Sequence, residues 1–188
     1  MKSKYYLTVL AFVLTFSLGM YAQVNKGDLA PDFAANNQNG ELWTSKDYYG
    51  KKYLVVYFYP AAMTSGCTKQ ACSYRDIEKE LKDLGVEVVG VSGDAVKNLK
   101  IFEQEHHLNF TLLSDIQGVI AHKFGVPVSD GGTINKETAK GKVELPRAVT
   151  TKRWTFIIDK NRMVIYIDKG VNPMNDSENV IDFIKGLK

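Results

Sequence analysis

Cysteine and histidine are both scarce in this chain. Its 188 residues include only two cysteines, Cys67 and Cys72, and three histidines. So few cysteines exclude a small domain that is held together by several disulfides. The spacing of the histidines and cysteines does not match a closed zinc site. Any thiol chemistry in this chain therefore depends on Cys67 and Cys72.

The chain also lacks a large excess of charge of either sign. Lysine and arginine total 24, aspartate and glutamate total 21, and the formal net charge is +3. A nucleic-acid or membrane-surface partner would require a larger basic excess, so neither is expected. The apolar fraction of 45% is ordinary for a globular domain with a buried core.

The N-terminal segment has the pattern of a signal peptide. Two lysines precede an apolar run over residues 5–18, which ends in the sequence SLGMYAQ around Ala22. This pattern predicts a signal peptide over residues 1–22, cleaved near Ala22, and a mature domain over residues 23–188. Export is therefore expected, with the periplasm as the destination. The alternative is a retained membrane anchor, because the segment approaches the roughly 18 residues at which a spanning helix becomes feasible.

Strand and helix patterns alternate along the rest of the chain, which predicts an α/β fold. An apolar run at Tyr53–Tyr59 is typical of a strand buried on both faces. Apolar residues then recur at helical spacing from Ala71 to Leu84, before Gly85. The later patterns predict strand Val86–Ser92, a helix from Val96, a strand at 110–115, a helix at 116–126, a hairpin of strands 154–159 and 163–168, and a closing helix around Val180–Leu187. A βαβ unit followed by a ββα unit is the order of a thioredoxin-like fold, so we expect one domain with a central mixed β-sheet flanked by helices.

One long segment, Val126–Thr151, does not follow either periodicity. It contains three glycines, two prolines and the polar run NKETAKGK. We therefore expect a long loop between the parallel strands and the hairpin. Loops of this length in compact domains tend to be functional or mobile.

Cys67 falls near the start of the helix that is predicted after Gly66. Free backbone N–H groups and the helix dipole favour negative charge there, so a thiolate is stabilised and Cys67 becomes the candidate nucleophile. The alternative is a small buried hydrophobic residue, which is the usual state of a free cysteine. The helical pattern alone leaves both interpretations open.

The spacing of Cys67 and Cys72 restricts how they could pair. Five helical residues turn about 500° and rise about 7.5 Å, which leaves the two Cα atoms roughly 8 to 9 Å apart. A disulfide needs about 4.4 to 6.8 Å, so pairing would require the first turns of the helix to unwind. Peroxide converts a thiolate to a sulfenic acid, which a nearby thiol condenses to a disulfide. Cys72 is close enough in the chain to be that thiol.

The stretch YFYPAAMTSGCTKQACSYRD, at Tyr57–Asp76, resembles the active-site segment of peroxiredoxins. Its Cys-x4-Cys spacing resembles the bacterioferritin-comigratory-protein, or peroxiredoxin Q, subfamily. The family pattern Pro-x-x-x-Thr-x-x-Cys is met by Pro60, Thr64 and Cys67. GDLAPDF upstream resembles the opening of the family, and KRWTFIID downstream resembles the strand that carries its active-site arginine. The three motifs occur in the order of the family.

This resemblance implies roles for particular residues. Cys67 would be the peroxidatic cysteine and Cys72 the resolving cysteine, joined in an intramolecular disulfide. The Thr64 hydroxyl would donate to and accept from the peroxide, and Arg153 would hold the thiolate and polarise the departing oxygen. Pro60 would shape and shield the pocket. Without the resemblance, Thr64 would be interpreted as a helix cap and Arg153 as a surface charge.

The implied activity is that of a thioredoxin-dependent, atypical two-cysteine peroxidase. Its substrate would be hydrogen peroxide or an organic hydroperoxide, and a thioredoxin-like dithiol protein would reduce it. It would need no metal, haem or flavin, and we expect a monomer or weak dimer. Two alternatives stay open: an exported thiol-disulfide oxidoreductase of thioredoxin-like fold, and a non-enzymatic module in which the cysteine pair is a static staple. The helix geometry argues against the staple.

The chain departs from the subfamily pattern at one position within the motif, and it has a second arginine near the site. The subfamily usually has Thr-Pro-Gly-Cys where this chain has Ser65. Proline presets the backbone at a helix start, whereas serine loosens it or caps the helix. We therefore expect the site to survive with its folded form less favoured. Arg75 is a second arginine near the site, and its helical spacing predicts a solvated residue.

Overall fold

The computed structural model describes residues 23–138 and 141–187, so the predicted signal peptide at residues 1–22 lies outside the described part. The helices within that part are all too short or too polar to span a bilayer. The elements are β1 (Ala34–Asn36), β2 (Leu42–Thr44), a 3-10 turn (Ser45–Asp47), β3 (Tyr53–Phe58), α1 (Ser65–Asp83), β4 (Val86–Ser92), α2 (Val96–His106), β5 (Thr111–Ser114), α3 (Val119–Phe124), β6 (Val128–Thr138), β7 (Gly141–Thr151), β8 (Trp154–Ile158), β9 (Val164–Asp168) and α4 (Asp176–Lys185).

A five-stranded mixed sheet forms the centre of the fold, with the strand order β5-β4-β3-β8-β9. Strand β4 runs parallel to both β3 and β5, while β8 runs antiparallel to both β3 and β9. The parallel strands with α1 and α2 form the first unit, and the β8–β9 hairpin with α4 forms the second. The predicted thioredoxin-like α/β fold is therefore confirmed.

Strand β3 lies between the two halves of the core, as its uninterrupted apolar sequence predicts. Val55 and Tyr57 pack on the face covered by α1, α2 and α4. Leu54, Val56 and Phe58 pack on the opposite face, against α3 and apolar side chains from residues 24–43. Successive side chains of a strand point to opposite faces, so one strand contributes to both layers. The loop that follows β3 carries the candidate site.

The segment Val126–Thr151 is not the predicted loop, and that expectation is wrong. Strands β6 and β7 pair antiparallel over most of this segment, and Leu145 is fully buried against the core. A Cβ at Gly131 would meet the Arg147 carbonyl oxygen at 2.0 Å, so this glycine permits close approach of the two strands. Most side chains of the hairpin are exposed or half-buried, which weakens the alternation by which a strand is recognised.

Candidate functional site

Cys67 is the third residue of α1, just after the loop that leaves β3. Met63 has a positive φ of 65°, which is uncommon for a residue with a side chain, and Thr64 is extended. These two conformations turn the chain into the helix, which begins at Ser65. This is the position at which the Thr-Pro-Gly-Cys pattern described above has proline. The Cys67 side chain is 1% exposed, and its thiol is free. The sulfur therefore lies at a helix N-terminus, where negative charge is favoured.

Arg153 supplies a cation beside this sulfur. Trp154, the first residue of β8, pairs with Phe58 at the end of β3. The residue before β8 is therefore at the same sheet edge as the loop leading to Cys67. Arg153 Nη2 donates to Cys67 Sγ at 3.2 Å. A guanidinium stays protonated and its rigid fork contacts two groups at once, so it stabilises negative charge on the sulfur without losing its proton.

The second terminal nitrogen of Arg153 contacts Gln70, which in turn contacts Asp176, and neither residue was predicted from the sequence. Arg153 Nη1 donates to Gln70 Oε1, and Gln70 Nε2 donates to Asp176 Oδ2 at 2.6 Å. Gln70 is fully buried on the same face of α1 as Ala71 and Tyr74. A polar residue beside an apolar helical stripe was the available signal for Gln70. Nothing in the sequence pairs Asp176 with it, because the two are 106 residues apart.

Thr64 lies at the N-cap of α1, but its hydroxyl is directed to the preceding loop. Thr64 Oγ1 donates to the carbonyl oxygen of Ala61 at 2.9 Å. This contact differs from the ordinary helix cap, in which the side chain accepts from the first turn. Because the hydroxyl proton is engaged, Oγ1 presents acceptor lone pairs to a neighbouring group. In this conformation Thr64 can accept a hydrogen bond from a bound molecule but has no second proton to donate, which differs from the expectation that it would do both.

Pro60 lies at the wall of a groove next to the arginine-bearing segment. It is half-buried, and the groove is lined further by Pro127, Val128, Ser129, Thr150, Thr151 and Lys152. Thr151 Oγ1 donates to the carbonyl oxygen of Tyr59 at 3.0 Å, which joins the end of β7 to the residue before Pro60. Proline offers no backbone donor to this wall.

A buried carboxylate holds the loop between Pro60 and Thr64. Asp94 Oδ2 accepts hydrogen bonds from the Ala62 backbone N–H at 2.8 Å and from Ser92 Oγ at 2.9 Å. Burial raises the pKa of Asp94, and these two hydrogen bonds and the Arg147 charge oppose that rise. Asp94 therefore ties the end of β4 to the loop that leads to Cys67.

Cys72 lies on the same unbroken helix as Cys67 but on a different face, where it is partly exposed. Arg75 Nη1 donates to Cys72 Sγ at 3.5 Å and to the His106 carbonyl oxygen at 2.7 Å. The Arg75 Nε and Nη2 groups both donate to Asp76 Oδ1. The expectation that Arg75 is merely a solvated residue is therefore wrong, because its guanidinium contacts the second sulfur.

Tyr57 lies close to the site from the sheet side. It is fully buried, and its ring stacks on that of Tyr74 with centroids 4.9 Å apart. Burial raises the pKa of Tyr57 well above its ordinary value, and negative charge on Cys67 raises it further. The phenol therefore remains neutral and adds no second negative charge near the sulfur.

Comparisons with known proteins relate this chain to one family. Residues 26–167 match the AhpC/TSA family. Over 145 residues the chain is 45% identical to "Peroxiredoxin Q, chloroplastic" from Populus jackii, and this aligned stretch covers 77% of this chain and 60% of that protein. Over 170 residues it is 35% identical to "Peroxiredoxin Q, chloroplastic" from Sedum lineare, which covers 90% of this chain and 82% of that protein.

The similarity extends to a solved structure. The crystal structure of peroxidoxin BcpB from Mycobacterium tuberculosis superposes with a TM-score of 0.71 and 30% sequence identity, covering 87% of this chain and 97% of that chain. The chain spans about 60% of the length of curated relatives such as those from Populus jackii and Oryza sativa subsp. japonica. The family match includes the candidate residues from Pro60 to Arg153, and Asp176 lies beyond its end.

Proposed function

The chain belongs to the AhpC/TSA family, and on that premise we propose that it is a thiol peroxidase that uses Cys67 to reduce hydrogen peroxide or organic hydroperoxides. The observation that supports this best is the 3.2 Å contact between Arg153 Nη2 and the buried sulfur of Cys67. A buried negative charge requires a fixed donor. Donors already aimed at the reacting atoms also stabilise the charge that develops as the O–O bond breaks.

In the proposed first step, the Cys67 thiolate attacks the hydroxyl oxygen of the peroxide. The O–O bond breaks, and the sulfur keeps the hydroxyl group as a sulfenic acid. The electron pair leaves with the other oxygen, which takes up a proton to become water or an alcohol. Arg153 stabilises the thiolate and then the departing oxygen, while Thr64 Oγ1 accepts a hydrogen bond from the peroxide. Pro60, in the loop between β3 and Thr64, limits access of water to the space beside Cys67.

In the proposed second step, the Cys72 thiol condenses with the sulfenic acid. An S–S bond forms and water leaves. Cys67 and Cys72 are on the continuous helix α1, where helix geometry holds their Cα atoms roughly 8 to 9 Å apart, so the first turns must unwind before the bond forms. A thioredoxin-like dithiol protein then reduces the disulfide by two thiol-disulfide exchanges.

The Cys72→Ser variant separates the two steps and tests this function. The reduced variant should consume one equivalent of hydrogen peroxide as fast as the wild type, because Cys67 is intact. It should then gain one oxygen atom that dimedone traps, because the resolving thiol is missing. Intact mass and residual peroxide are the measurements. A protein that reduces insulin disulfides but leaves peroxide unconsumed would instead be the thiol-disulfide oxidoreductase.

The proposed unwinding predicts a difference in amide exchange between redox states. Backbone amides of residues 68–73, beginning with the Thr68 N–H that donates to the Thr64 carbonyl oxygen, should be protected in the reduced protein. They should exchange faster once Cys67 and Cys72 are joined, because their helical hydrogen bonds are lost. Residues in the second half of α1, such as Leu81, serve as the internal control and should keep their protection. Equal protection of residues 68–73 in both states would contradict an unwinding step.

We further propose that residues 1–22 are a targeting segment that exports the domain, with the periplasm as its destination. The pattern of charged and apolar residues supports this. A targeting segment is also in keeping with the curated relatives, whose names assign them to another compartment, the chloroplast. N-terminal sequencing of the mature protein should identify Gln23 as the first residue. A mature protein that begins at Met1 would support the retained anchor instead.

A further inference from the structure

A buried carboxylate lies behind the candidate site, on α4. Asp176 is fully buried in the first turn of that helix, where the helix dipole favours a negative side chain. Its Oδ2 atom accepts three hydrogen bonds, from Gln70 Nε2 at 2.6 Å, Tyr74 Oη at 2.8 Å and Thr155 Oγ1 at 2.9 Å. One oxygen atom therefore joins helix α1, strand β8 and helix α4.

The Asp176 carboxylate determines which way the Gln70 amide faces. A carboxylate oxygen with three donors requires the NH₂ group of the amide, so Gln70 Oε1 must point away from Asp176 and toward Arg153. The reversed amide would place its oxygen against the carboxylate and its NH₂ group against the guanidinium. Both contacts would then be repulsive, so the observed orientation is strongly favoured.

The orientation of Gln70 in turn affects Arg153. The Arg153 side chain is long, and two of its nitrogens contact the site: Nη1 contacts Gln70 Oε1 and Nη2 contacts Cys67 Sγ. Because the guanidinium is planar and rigid, fixing Nη1 also fixes the direction of Nη2. An unfixed Gln70 amide would let the fork rotate away from the sulfur.

We propose that Asp176 is a positioning residue, which orients Arg153 toward Cys67 through the Gln70 amide. This inference rests on the proposed function of Cys67. Burial raises the pKa of Asp176, and the hydrogen bonds from Gln70, Tyr74 and Thr155 oppose the rise. Of these three contacts, the one from Gln70 connects the carboxylate to Arg153. Removal of Asp176 should therefore weaken the reactivity of Cys67 without removing any group that touches the peroxide.

A double-mutant cycle tests this coupling. Asp176→Ala and Gln70→Ala should each lower the second-order rate constant of Cys67 with hydrogen peroxide about tenfold, a size typical of losing a hydrogen-bonded partner behind a reactive group. The double variant should be no slower than Gln70→Ala alone, because Asp176 acts only through Gln70. Effects that multiply in the double variant, or an Asp176→Ala rate equal to wild type, would overturn the proposal.

A structural role alone would give a different pattern, which a matched control exposes. Gln38→Ala removes another buried glutamine, whose amide donates to the Phe110 carbonyl oxygen and accepts from the Leu112 N–H, without touching Gln70, Asp176 or Arg153. It should lower the free energy of unfolding while leaving the peroxide rate within about twofold of wild type. A Gln38→Ala variant as slow as Asp176→Ala would show that general loosening explains the effect, and the positioning role would be wrong.

A second readout keeps this inference separate from the proposed function. Iodoacetamide alkylates the Cys67 thiolate without any peroxide chemistry, so its rate against pH follows the thiolate fraction. The variants are measured in a Cys72→Ser background so that only Cys67 reacts. The alkylation profile should move to higher pH in Asp176→Ala, and an unmoved profile would overturn the inference. A moved profile in a protein that never consumes peroxide would reject only the peroxidase function.

If Asp176→Ala does not fold, a charge substitution provides the same test. Gln70→Glu places a second carboxylate against Asp176, and the repulsion should disturb Arg153 and slow the reaction of Cys67 with peroxide. Adding Asp176→Asn supplies an NH₂ donor to the new carboxylate and should restore the rate to within about threefold of wild type. Failure of Asp176→Asn to raise the rate of Gln70→Glu would overturn the proposal.

Discussion

Replacing Cys67 with serine is expected to lower the rate constant for hydrogen peroxide by about 10⁴-fold or more. A loss of this order follows removal of the nucleophile from a covalent catalyst. The serine hydroxyl has nearly the same size as the thiol, but it remains protonated and is a far weaker nucleophile. The measurement is stopped-flow consumption of peroxide by the fully reduced protein.

The matched control for this result is Cys72→Ser, which removes the other thiol of the same helix. It should keep the first turnover at the wild-type rate, because Cys72 acts only after Cys67 is oxidised. Its expected defect is the failure to form an intramolecular disulfide. If Cys67→Ser consumed peroxide as fast as Cys72→Ser, Cys67 would not be the attacking residue.

The second large effect is expected at Arg153. Arg153→Met should lower the peroxide rate constant by about 10² to 10³-fold, the range found when one donor that stabilises developing negative charge is removed. Arg153→Lys keeps the charge but not the planar fork that contacts both Cys67 and Gln70. Its rate should therefore lie between those of Arg153→Met and the wild type.

Arg162 provides a matched control for the loss of an arginine. It lies in the turn after β8, at the opposite end of that strand from Arg153, where it donates to the Ala30 carbonyl oxygen and pairs with Asp32. Arg162→Met removes the same charge from the chain and should leave the peroxide rate within about twofold of wild type. An equal loss in Arg162→Met and Arg153→Met would show that net charge, not the local contact, sets the rate.

The spacing of apolar residues along the chain was sufficient to predict much of this fold. Strand β4 has the predicted bounds, Val86–Ser92, and α1 follows β3 as expected. The three-residue strands β1 and β2 were not predicted, because so short a segment cannot display a period. The hairpin of β6 and β7 was missed for a different reason: its side chains are mostly polar, and nearly all of them are exposed or half-buried, so the pairing of the two strands leaves little trace in the sequence.

The candidate site likewise combines residues that the local sequence predicted with residues that only the packing of distant elements brings together. The cysteine spacing and the start of α1 are local features, and the arginine before β8 followed from a motif. The contact of Arg153 with Gln70 and that of Gln70 with Asp176 depend on how α1, β8 and α4 pack. A one-dimensional pattern does not specify which buried polar residues from distant elements become partners. Arg75 was misjudged because its helical position suggested solvent, whereas its guanidinium spans from Cys72 to His106.

The most direct test of the central claim is the mass of the reduced wild-type protein after one equivalent of hydrogen peroxide. The proposed cycle predicts the loss of two hydrogen atoms and, after digestion without reductant, a cross-link between Cys67 and Cys72. Peroxide should be consumed completely in the same sample. A wild-type protein that keeps its reduced mass and leaves the peroxide in solution would contradict the account.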